Sequence, residues 1–349
     1  TQAIEGLRRN NIGRWQTNNQ RYRTGPHHFD LPGLPDAANP DLIVDPTQNS
    51  IMTFRGLLMT GFLRLFGILP LRFSLAVGAA LGSLLYRMPN RNLRLARRNI
   101  ELCLPELEPA KQELLVRDSL RSMAQTFLEL GWFWYRKPER IYGLIRKIHG
   151  LDVFEQACEA GQGVLLAAPH LGCWELMGQY LPTRIETVIL YKRPRDRGVE
   201  QVIVQGRERT GVKLIPADGK GVRQLFQAIR KGQLVGILPD QQPKAGQGQF
   251  APFFGIEALT MVLLSKLAQK TDCKVLFGWA ERLPGGAGYD FHFSAIATQI
   301  SDPDLRVSVT ALNQGVEQCV RQCPAQYQWG YKRFGIRPDG ESPLYDDLL

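Results

Sequence analysis

The sequence Gly163-Val-Leu-Leu-Ala-Ala-Pro-His170-Leu-Gly-Cys-Trp-Glu175 joins an apolar run to a histidine, and a carboxylate follows five residues later. Five steps of an α-helix separate two side chains by about 140°, so these two groups cannot share one helix face. The spacing therefore predicts His170 in the turn after a buried strand and Glu175 in the first turn of the next element. From there the Glu175 carboxylate could hydrogen-bond one ring nitrogen and hold the other as a general base. The alternative is a buried structural histidine capped by a nearby acid.

The other two histidines beyond residue 51 lack this context. His292 lies in the alternating segment Asp290-Phe-His-Phe-Ser, which is typical of a strand. His149 precedes Gly150 and has no acid in a comparable motif. We therefore predict structural roles for both. His170 alone follows a strand, in the position where open α/β sheets bind their ligands.

Beyond residue 100 the hydrophobic pattern alternates between helical and strand periods. The predicted helices span residues 109–134, 197–209, 221–230 and 259–270. The predicted strands span residues 163–168, 187–191, 212–215, 234–238, 274–280 and 289–296. Interleaved strands and helices predict an α/β fold with a mixed central sheet and helices on both faces. Without a repeat or long linker, residues 100–349 are predicted to form one catalytic domain.

Charge narrows the class of partner. The formal net charge is +10 over 349 residues, and residues 1–51 hold five Arg and five acidic residues, so the excess lies beyond them. A basic body suits an acidic partner, such as phosphorylated lipid, an acidic protein or nucleic acid, but no nucleic-acid-binding motif is present. The six cysteines are scattered, and Cys319-x3-Cys323 lacks a second pair, so no metal site is predicted. A reduced, cytosol-facing protein is the simplest inference.

The N-terminal region divides at residue 51. Residues 1–51 are predicted to be an irregular extension, and residues 52–99 an apolar anchor with a basic juxtamembrane segment. Arg64 and Arg72 interrupt the apolar part, whose longest uncharged run is the 14 residues 73–86, short of the ~20 of a simple span. These features predict a helix pair that turns near Pro70. The run of Arg87, Arg91, Arg94, Arg97 and Arg98 predicts binding to anionic headgroups, although a solvated helix face is the alternative.

Four ordered blocks extend the motif at His170. They are Arg97-Arg-Asn-Ile-Glu-Leu-Cys-Leu-Pro-Glu106, Ala168-Pro-His-Leu-Gly-Cys-Trp-Glu175, Gly206-Arg-Glu-Arg-Thr-Gly211 and Leu238-Pro-Asp-Gln-Gln-Pro243. Together they resemble the bacterial lipid A late acyltransferases, the lauroyl and myristoyl transferases of the lysophospholipid acyltransferase superfamily. The resemblance runs from about Met52 to Arg337, with Leu104 where the family usually has an aromatic residue.

The resemblance implies transfer of a fatty acyl chain from acyl carrier protein to a hydroxyl of a phosphorylated, acylated glucosamine lipid A precursor. It also implies an N-terminal anchor in the bacterial inner membrane, with the catalytic domain on the cytoplasmic face, and neither a metal nor a bound organic cofactor. The rival enzyme is a lysophospholipid or glycerophosphate acyltransferase. The rival from another class is a noncatalytic membrane-bound scaffold that binds acidic lipid.

The resemblance assigns catalysis to His170 as the base and Glu175 as the residue that orients it. Direct transfer from an activated thioester makes a protein nucleophile unnecessary, so Cys173 is predicted to be a packing residue. The candidate substrate-binding residues are Arg207, Arg209, Asp240, Gln241 and Lys192. Arg207, Arg209 and Lys192 could hold a lipid A phosphate or the carrier's phosphopantetheine. Asp240 could orient Arg207 or the acceptor, or be a structural cap. Phe250, Phe253, Phe254 and the helix segment 259–264 could line an acyl pocket or belong to the core.

Overall fold

The computed structural model describes residues 53–348, so the extension predicted for residues 1–51 and Met52 lie outside the described residues. The chain begins with α1 (Phe54–Ile68), α2 (Leu71–Arg87), α3 (Arg91–Cys103), α4 (Pro109–Tyr135) and α5 (Pro138–Tyr142). Strands and helices then alternate as β1 (Ile145–His149), α6 (Leu151–Glu159), β2 (Val164–Ala167), α7 (Trp174–Tyr180), β3 (Thr187–Tyr191), α8 (Arg197–Glu208), β4 (Lys213–Pro216), α9 (Gly219–Arg230) and β5 (Leu234–Ile237). The chain continues with β6 (Gly248–Phe253), β7 (Ile256–Met261), α10 (Leu263–Lys270), β8 (Lys274–Arg282), β9 (Tyr289–Ala295) and α11 (Leu305–Gln322).

Seven strands form a mixed sheet in the order β1-β9-β8-β2-β5-β3-β4. Only the β8–β9 pair is antiparallel, and the other neighbours run parallel. The predicted mixed central sheet of an α/β fold is therefore confirmed. Strand β2 lies between β5 and β8, fully buried, which explains its unbroken apolar sequence.

Helices cover both faces of this sheet. Alternate residues of β2 enter two separate hydrophobic clusters, Leu165 on one face and Leu166 on the other. The cluster around Leu165 receives side chains from α3, α9, α10 and α11. The cluster around Leu166 receives side chains from α1, α2, α6, α7 and α8. Because β2 is buried on both faces, it is the central strand of the sheet, and the residues that directly follow it are held rigidly.

The helix predicted over residues 259–270 begins later than predicted. Residues 259–261 continue strand β7, which pairs antiparallel with β6, and the helix begins only at Leu263. A tight turn forces this pairing, because Phe254 and Gly255 both have positive φ values, 49° and 77°. That conformation is typical of a two-residue hairpin turn. The apolar run 258–264 therefore serves a strand and then a helix, which periodicity alone could not separate.

The N-terminal helix pair turns at Pro70, as predicted, since Pro70 is the N-cap of α2. In residues 53–348 no helix is long and apolar enough to cross a membrane. Two of the five arginines in the basic run form salt bridges within the protein, because Arg97 pairs with Glu113 and Arg98 pairs with Asp347. Arg87, Arg91 and Arg94 are exposed.

Helix α1 presents an unusual outer face. Its buried positions, Gly56, Thr60, Leu63 and Gly67, form one stripe that packs against α4 and α8. The opposite stripe is apolar and exposed, and consists of Phe54, Leu57, Leu58, Phe62, Leu65 and Ile68. We call this set the α1 stripe. A solvent-facing apolar stripe of this extent is typical of a surface that contacts lipid or another protein.

Candidate active site

His170 lies in the turn that leaves β2, and Glu175 lies in the first turn of α7, as the spacing predicts. Three main-chain hydrogen bonds hold this turn: Gly172 N donates to Gln326 O (3.1 Å), Cys173 N to Ala280 O (2.7 Å), and Gln328 N to His170 O (3.1 Å). Gly172 has φ 63°, and a Cβ there would lie 2.0 Å from Ala280 O. Only glycine fits this turn, which fixes the backbone that carries His170.

Asp240, not Glu175, is the acid bound to His170. Asp240 follows β5, the parallel neighbour of β2, so the carboxyl ends of both strands lie side by side. We call the side of the sheet formed by these carboxyl ends the sheet edge. Asp240 Oδ1 lies 2.8 Å from His170 Nδ1, and Asp240 Oδ2 accepts from the His170 backbone N–H at 2.9 Å. Burial opposes ionisation of Asp240, but the charge on His170 and its two hydrogen bonds outweigh burial and lower the pKa of this carboxyl.

The predicted contact between Glu175 and His170 is corrected by this geometry. The first turn of α7 directs the Glu175 carboxylate toward α8, where Arg207 Nε donates to its two oxygens at 3.1 and 3.0 Å. Arg207 Nη2 also pairs with Glu175, and Trp134 Nε1 donates to the carboxylate at 3.2 Å. Glu175 is thus a buried partner of Arg207 rather than of the histidine. The suggestion that Asp240 orients Arg207 is also wrong, since both Asp240 oxygens bind His170.

The tautomer of His170 follows from its partners. A carboxylate only accepts hydrogen bonds, so Nδ1 carries the hydrogen and the Nε2 of the neutral ring keeps its lone pair. The Gln241 side-chain nitrogen lies 3.2 Å from Nε2. The ring is also fixed by an edge contact with Trp174, whose centroid is 5.1 Å away. In its neutral form the ring would therefore present one basic nitrogen directed away from its carboxylate, which is the arrangement that a general base needs.

The other candidate residues divide by position. Gln241 contacts the His170 ring, whereas the guanidinium of Arg207 is engaged by Glu175. Arg209 donates to the backbone oxygen of Phe133 at 2.9 Å. Lys192 is exposed in the loop after β3, a strand that neighbours β5 at the same sheet edge. Phosphate binding by Arg207, Arg209 and Lys192 stays a prediction.

Cys173 and Phe253 are core residues. The Cys173 side chain is buried, and its backbone is pinned to Ala280. Burial raises the pKa of the thiol well above its ordinary value, so the reactive thiolate is suppressed. Phe253 is buried against Phe254, Tyr327 and Phe334. Both observations favour packing over nucleophilic catalysis or an open acyl pocket.

Two contacts at the site could not be predicted from the sequence. Trp134 reaches Glu175 from 41 residues away, and Gln328 reaches Gln241 from 87 residues away, with a Gln241 Nε2 to Gln328 Oε1 distance of 3.0 Å. Neither Trp134 nor Gln328 belongs to a sequence motif that indicates a role in the site. Only the packing of α4 and of the segment after α11 brings them to the site.

Comparison with known proteins gives a consistent result. The family model for bacterial lipid A biosynthesis acyltransferases matches residues 47–335. The Escherichia coli K12 lipid A biosynthesis lauroyltransferase is 27% identical over 291 residues, which cover 82% of this chain and 92% of the relative. The palmitoleoyltransferase of the same strain is 27% identical, with 82% and 92% covered. Its myristoyltransferase is 23% identical over 79% of this chain and 85% of its own length.

Proposed function

Because this chain belongs to the bacterial lipid A biosynthesis acyltransferase family, we propose that it moves a fatty acyl chain from acyl carrier protein to a hydroxyl of a phosphorylated, acylated glucosamine lipid A precursor. The acyltransferase class and the link to lipid A follow from the family. The donor, the acceptor and the role of the histidine are our proposal. The observation that carries the proposal is the 2.8 Å contact between His170 Nδ1 and Asp240, which leaves Nε2 as the base.

His170 Nε2 takes the proton of the acceptor hydroxyl as that oxygen bonds to the thioester carbonyl carbon. The carbonyl π pair moves to oxygen and forms a tetrahedral oxyanion. Collapse of this intermediate restores the carbonyl and breaks the carbon–sulfur bond, and the departing thiolate takes the proton from Nε2. Asp240 holds the ring and stabilises the transient imidazolium, as the acid of a catalytic triad does. His170 returns to its starting state, and no acyl group rests on the protein.

Glu175 has a supporting place in this scheme. It neutralises Arg207 and thereby fixes α7 against α8. Helix α7 directly follows the turn 168–173 that carries His170, which we call the catalytic turn. Burial disfavours the charge on Arg207, but the Glu175 carboxylate outweighs burial and raises the pKa of the guanidinium. We therefore assign Glu175 and Arg207 to holding the site rather than to proton transfer.

The acceptor phosphate has a basic surface available at the same sheet edge. Lys192, Arg195 and Arg197 are exposed in the segment between β3 and the start of α8. Guanidinium and ammonium groups bind phosphate through charge-assisted hydrogen bonds. We propose that these three residues, which we call the β3 basic loop, hold the phosphate while the acceptor hydroxyl approaches His170.

The α1 stripe supports a membrane-facing orientation of this edge. Thr53, the N-cap of α1, donates to Asp196 in the segment of the β3 basic loop at 2.6 Å, so the apolar stripe and the cations adjoin. Helix α1 has 15 residues, a length of about 22 Å, shorter than the ~30 Å hydrocarbon core. We propose that the stripe lies in the interface of an anionic membrane, with the basic loop at headgroup level. In the cell we assign this surface to the cytoplasmic face of the bacterial inner membrane.

The decisive experiment compares acceptors. The purified chain is incubated with acyl carrier protein thioester and, in parallel, with a lipid A precursor that has a free hydroxyl, a lysophospholipid or glycerol 3-phosphate. Mass spectrometry should find one added acyl group on the lipid A precursor alone. Acylation confined to the lysophospholipid or glycerol 3-phosphate would contradict the proposal. Vesicle binding without transfer to any of the three would instead indicate a scaffold.

Vesicle flotation tests the membrane surface separately. Leu57→Glu with Phe62→Glu should reduce binding to anionic vesicles at every salt concentration, because it removes apolar contact. Charge reversal of Lys192 and Arg195 should reduce binding mainly at low salt, since surface charges are screened within ~8 Å at physiological ionic strength. Val307→Glu is the matched control, because Val307 is also exposed but lies on α11. Equal binding by all variants would contradict the assigned orientation.

A further inference from the structure

Two glutamine amides close the basic side of His170. Gln241 Nε2 lies 3.2 Å from His170 Nε2 and 3.0 Å from Gln328 Oε1. Gln328 also donates its backbone N–H to the His170 carbonyl at 3.1 Å. The nitrogen that must receive a proton is therefore already in contact with a hydrogen-bond donor, and that donor is held from behind by a second side chain.

The orientation of both amides follows from Asp240. The carboxylate fixes the hydrogen on Nδ1, so the lone pair on Nε2 requires a donor, and Gln241 must present its NH₂ group. One hydrogen of that group points to Nε2, and the other points to Gln328 Oε1. Reversal of the Gln241 amide would place two acceptors against each other at Nε2. The chain from Asp240 through His170 and Gln241 to Gln328 thus has one consistent set of donors.

We propose that Gln241 supplies a hydrogen bond to the tetrahedral oxyanion and that Gln328 is the positioning residue that aims it. The proposal rests on the acyl transfer proposed above. The acceptor hydroxyl displaces Gln241 from Nε2, because the single lone pair of this nitrogen must face the hydroxyl in order to take its proton. The freed N–H of Gln241 is then available at the moment when the carbonyl π pair moves to oxygen. Breakdown of the oxyanion expels the thiolate, which takes the Nε2 proton, and Gln241 returns to Nε2.

The position of Gln328 gives the donor the rigidity that such stabilisation needs. Gln328 follows Tyr327, which forms a β-bridge with Leu171 in the catalytic turn. Gln326, two residues earlier, accepts from Gly172 N with its backbone oxygen, and its side chain makes two hydrogen bonds to the Arg282 backbone, both 2.9 Å. The segment that carries Gln328 is therefore attached to the same turn as His170. A donor held in place before the reaction costs no reorganisation when charge develops.

Substitution of Gln241 tests the donor. Gln241→Leu and the nearly isosteric Gln241→Glu both lose the N–H, and each should lower kcat by about 100-fold, within the range for loss of one oxyanion donor. KM for the acceptor should change little, because the bond forms only in the transition state. Gln249→Leu, which removes a half-buried amide from β6, is the matched control and should leave kcat within about twofold of wild type. Far-ultraviolet circular dichroism checks that each variant is folded.

Substitution of Gln328 tests the positioning role through rescue. Gln328→Leu removes the acceptor and should lower kcat about 10-fold, whereas Gln328→Glu keeps an acceptor oxygen and should recover most of that loss. Histidine ¹⁵N NMR of the wild-type chain gives a readout that does not depend on turnover, and it should show hydrogen on Nδ1 of His170. A wild-type chain that transfers while Gln241→Leu matches Gln249→Leu would overturn the donor role but leave the proposed function intact. Equal losses in Gln328→Leu and Gln328→Glu would overturn the positioning role.

Discussion

Two of the histidine–carboxylate contacts in residues 53–348 have different surroundings, although their distances are similar. His170 Nδ1 is 2.8 Å from Asp240, and His292 Nε2 is 3.1 Å from Glu281. His292 stands inside β9, with its ring stacked between Trp279 and His149 at centroid distances of 4.6 Å on each side. His170 stands in a turn at the end of a buried parallel strand. A histidine near an acid is therefore not by itself a catalytic signature.

The two pairs differ in how exposed the carboxylate is and in what the second ring nitrogen of the histidine contacts. The Asp240 side chain is 3% exposed, whereas the Glu281 side chain is 33% exposed. A buried carboxylate holds one tautomer against competition from water, while an exposed one shares its hydrogen bonds with solvent. At His170 the remaining nitrogen faces a side-chain amide at the sheet edge. The comparison predicts that proton transfer depends on His170 and Asp240 and not on His292 and Glu281.

The largest expected effect separates the two histidines directly. His170→Ala should lower acyl transfer by ~100- to 10,000-fold, the usual contribution of a general base. His292→Ala should keep most of the activity and lose only packing against Trp279 and His149. Turnover of both purified proteins, with binding to lipid vesicles as the control for folding, checks this. Comparable losses of turnover in the two variants would erase the distinction drawn here.

The next test ranks the two carboxylates near the catalytic turn. Asp240→Asn should lower kcat roughly 100-fold, because an amide no longer fixes the hydrogen on Nδ1. Glu175→Gln should lower kcat less, because Glu175 binds Arg207 rather than the ring. Steady-state kinetics at saturating acceptor decide the order. A more severe loss in the Glu175 variant would return Glu175 to the role that sequence spacing assigned to it.

Glu175 should instead matter for stability. Glu175→Gln leaves the Arg207 guanidinium unpaired, at a cost of about 2 kcal/mol in the free energy of unfolding, since Arg207 is 27% exposed and partly screened. The double variant Glu175→Gln with Arg207→Gln should recover part of that loss, because no unmatched charge remains. Urea unfolding of the two single variants and the double variant measures the coupling. Strictly additive losses would show that the pair does not act as a unit.

A smaller effect is expected at Cys173. Cys173→Ser should retain activity within about tenfold, and mass spectrometry during turnover should find no acyl adduct on the wild-type thiol. The reason is that the thiol is buried and its pKa is raised well above the ordinary value. A thioester at Cys173 that forms and decays as fast as turnover would show that His170 activates the protein and not the substrate.

The smallest expected effect concerns the stacked histidines. Burial, followed by the charge of His292, lowers the pKa of His149 below its ordinary 6.5. The unfolded chain therefore takes up this proton first as pH falls, so this contribution to stability declines below pH 6.5. Because the His149 side chain is 39% exposed, the effect should stay below about 1 kcal/mol. Unfolding at pH 7.5 and 5.5 should show a smaller difference for His149→Gln than for wild type, and equal differences would contradict it.

Local sequence determined the strands of the sheet and the position of His170, the proposed base. The strands predicted at residues 163–168 and 234–238 are apolar because strands between parallel neighbours are buried on both faces, and such apolar runs can be recognised from the local sequence alone. The segment after β2 was equally legible, because five helical steps exclude a shared face for His170 and Glu175. The hairpin at Phe254 was not, since its strand β7 depends on pairing with β6.

The acid that binds His170 was decided only by tertiary structure. Glu175 is five residues from His170 in sequence, yet α7 turns it toward Arg207, while Asp240 arrives from 70 residues away. Asp240 comes within reach because β5 pairs with β2 in parallel and both strands end at one edge. Sequence spacing restricts the directions in which the side chains of one helix or strand can point. Contacts between side chains of different elements depend on the order of the strands in the sheet. The histidine could therefore be identified from the sequence, but its acid and the amides beside it required the folded sheet.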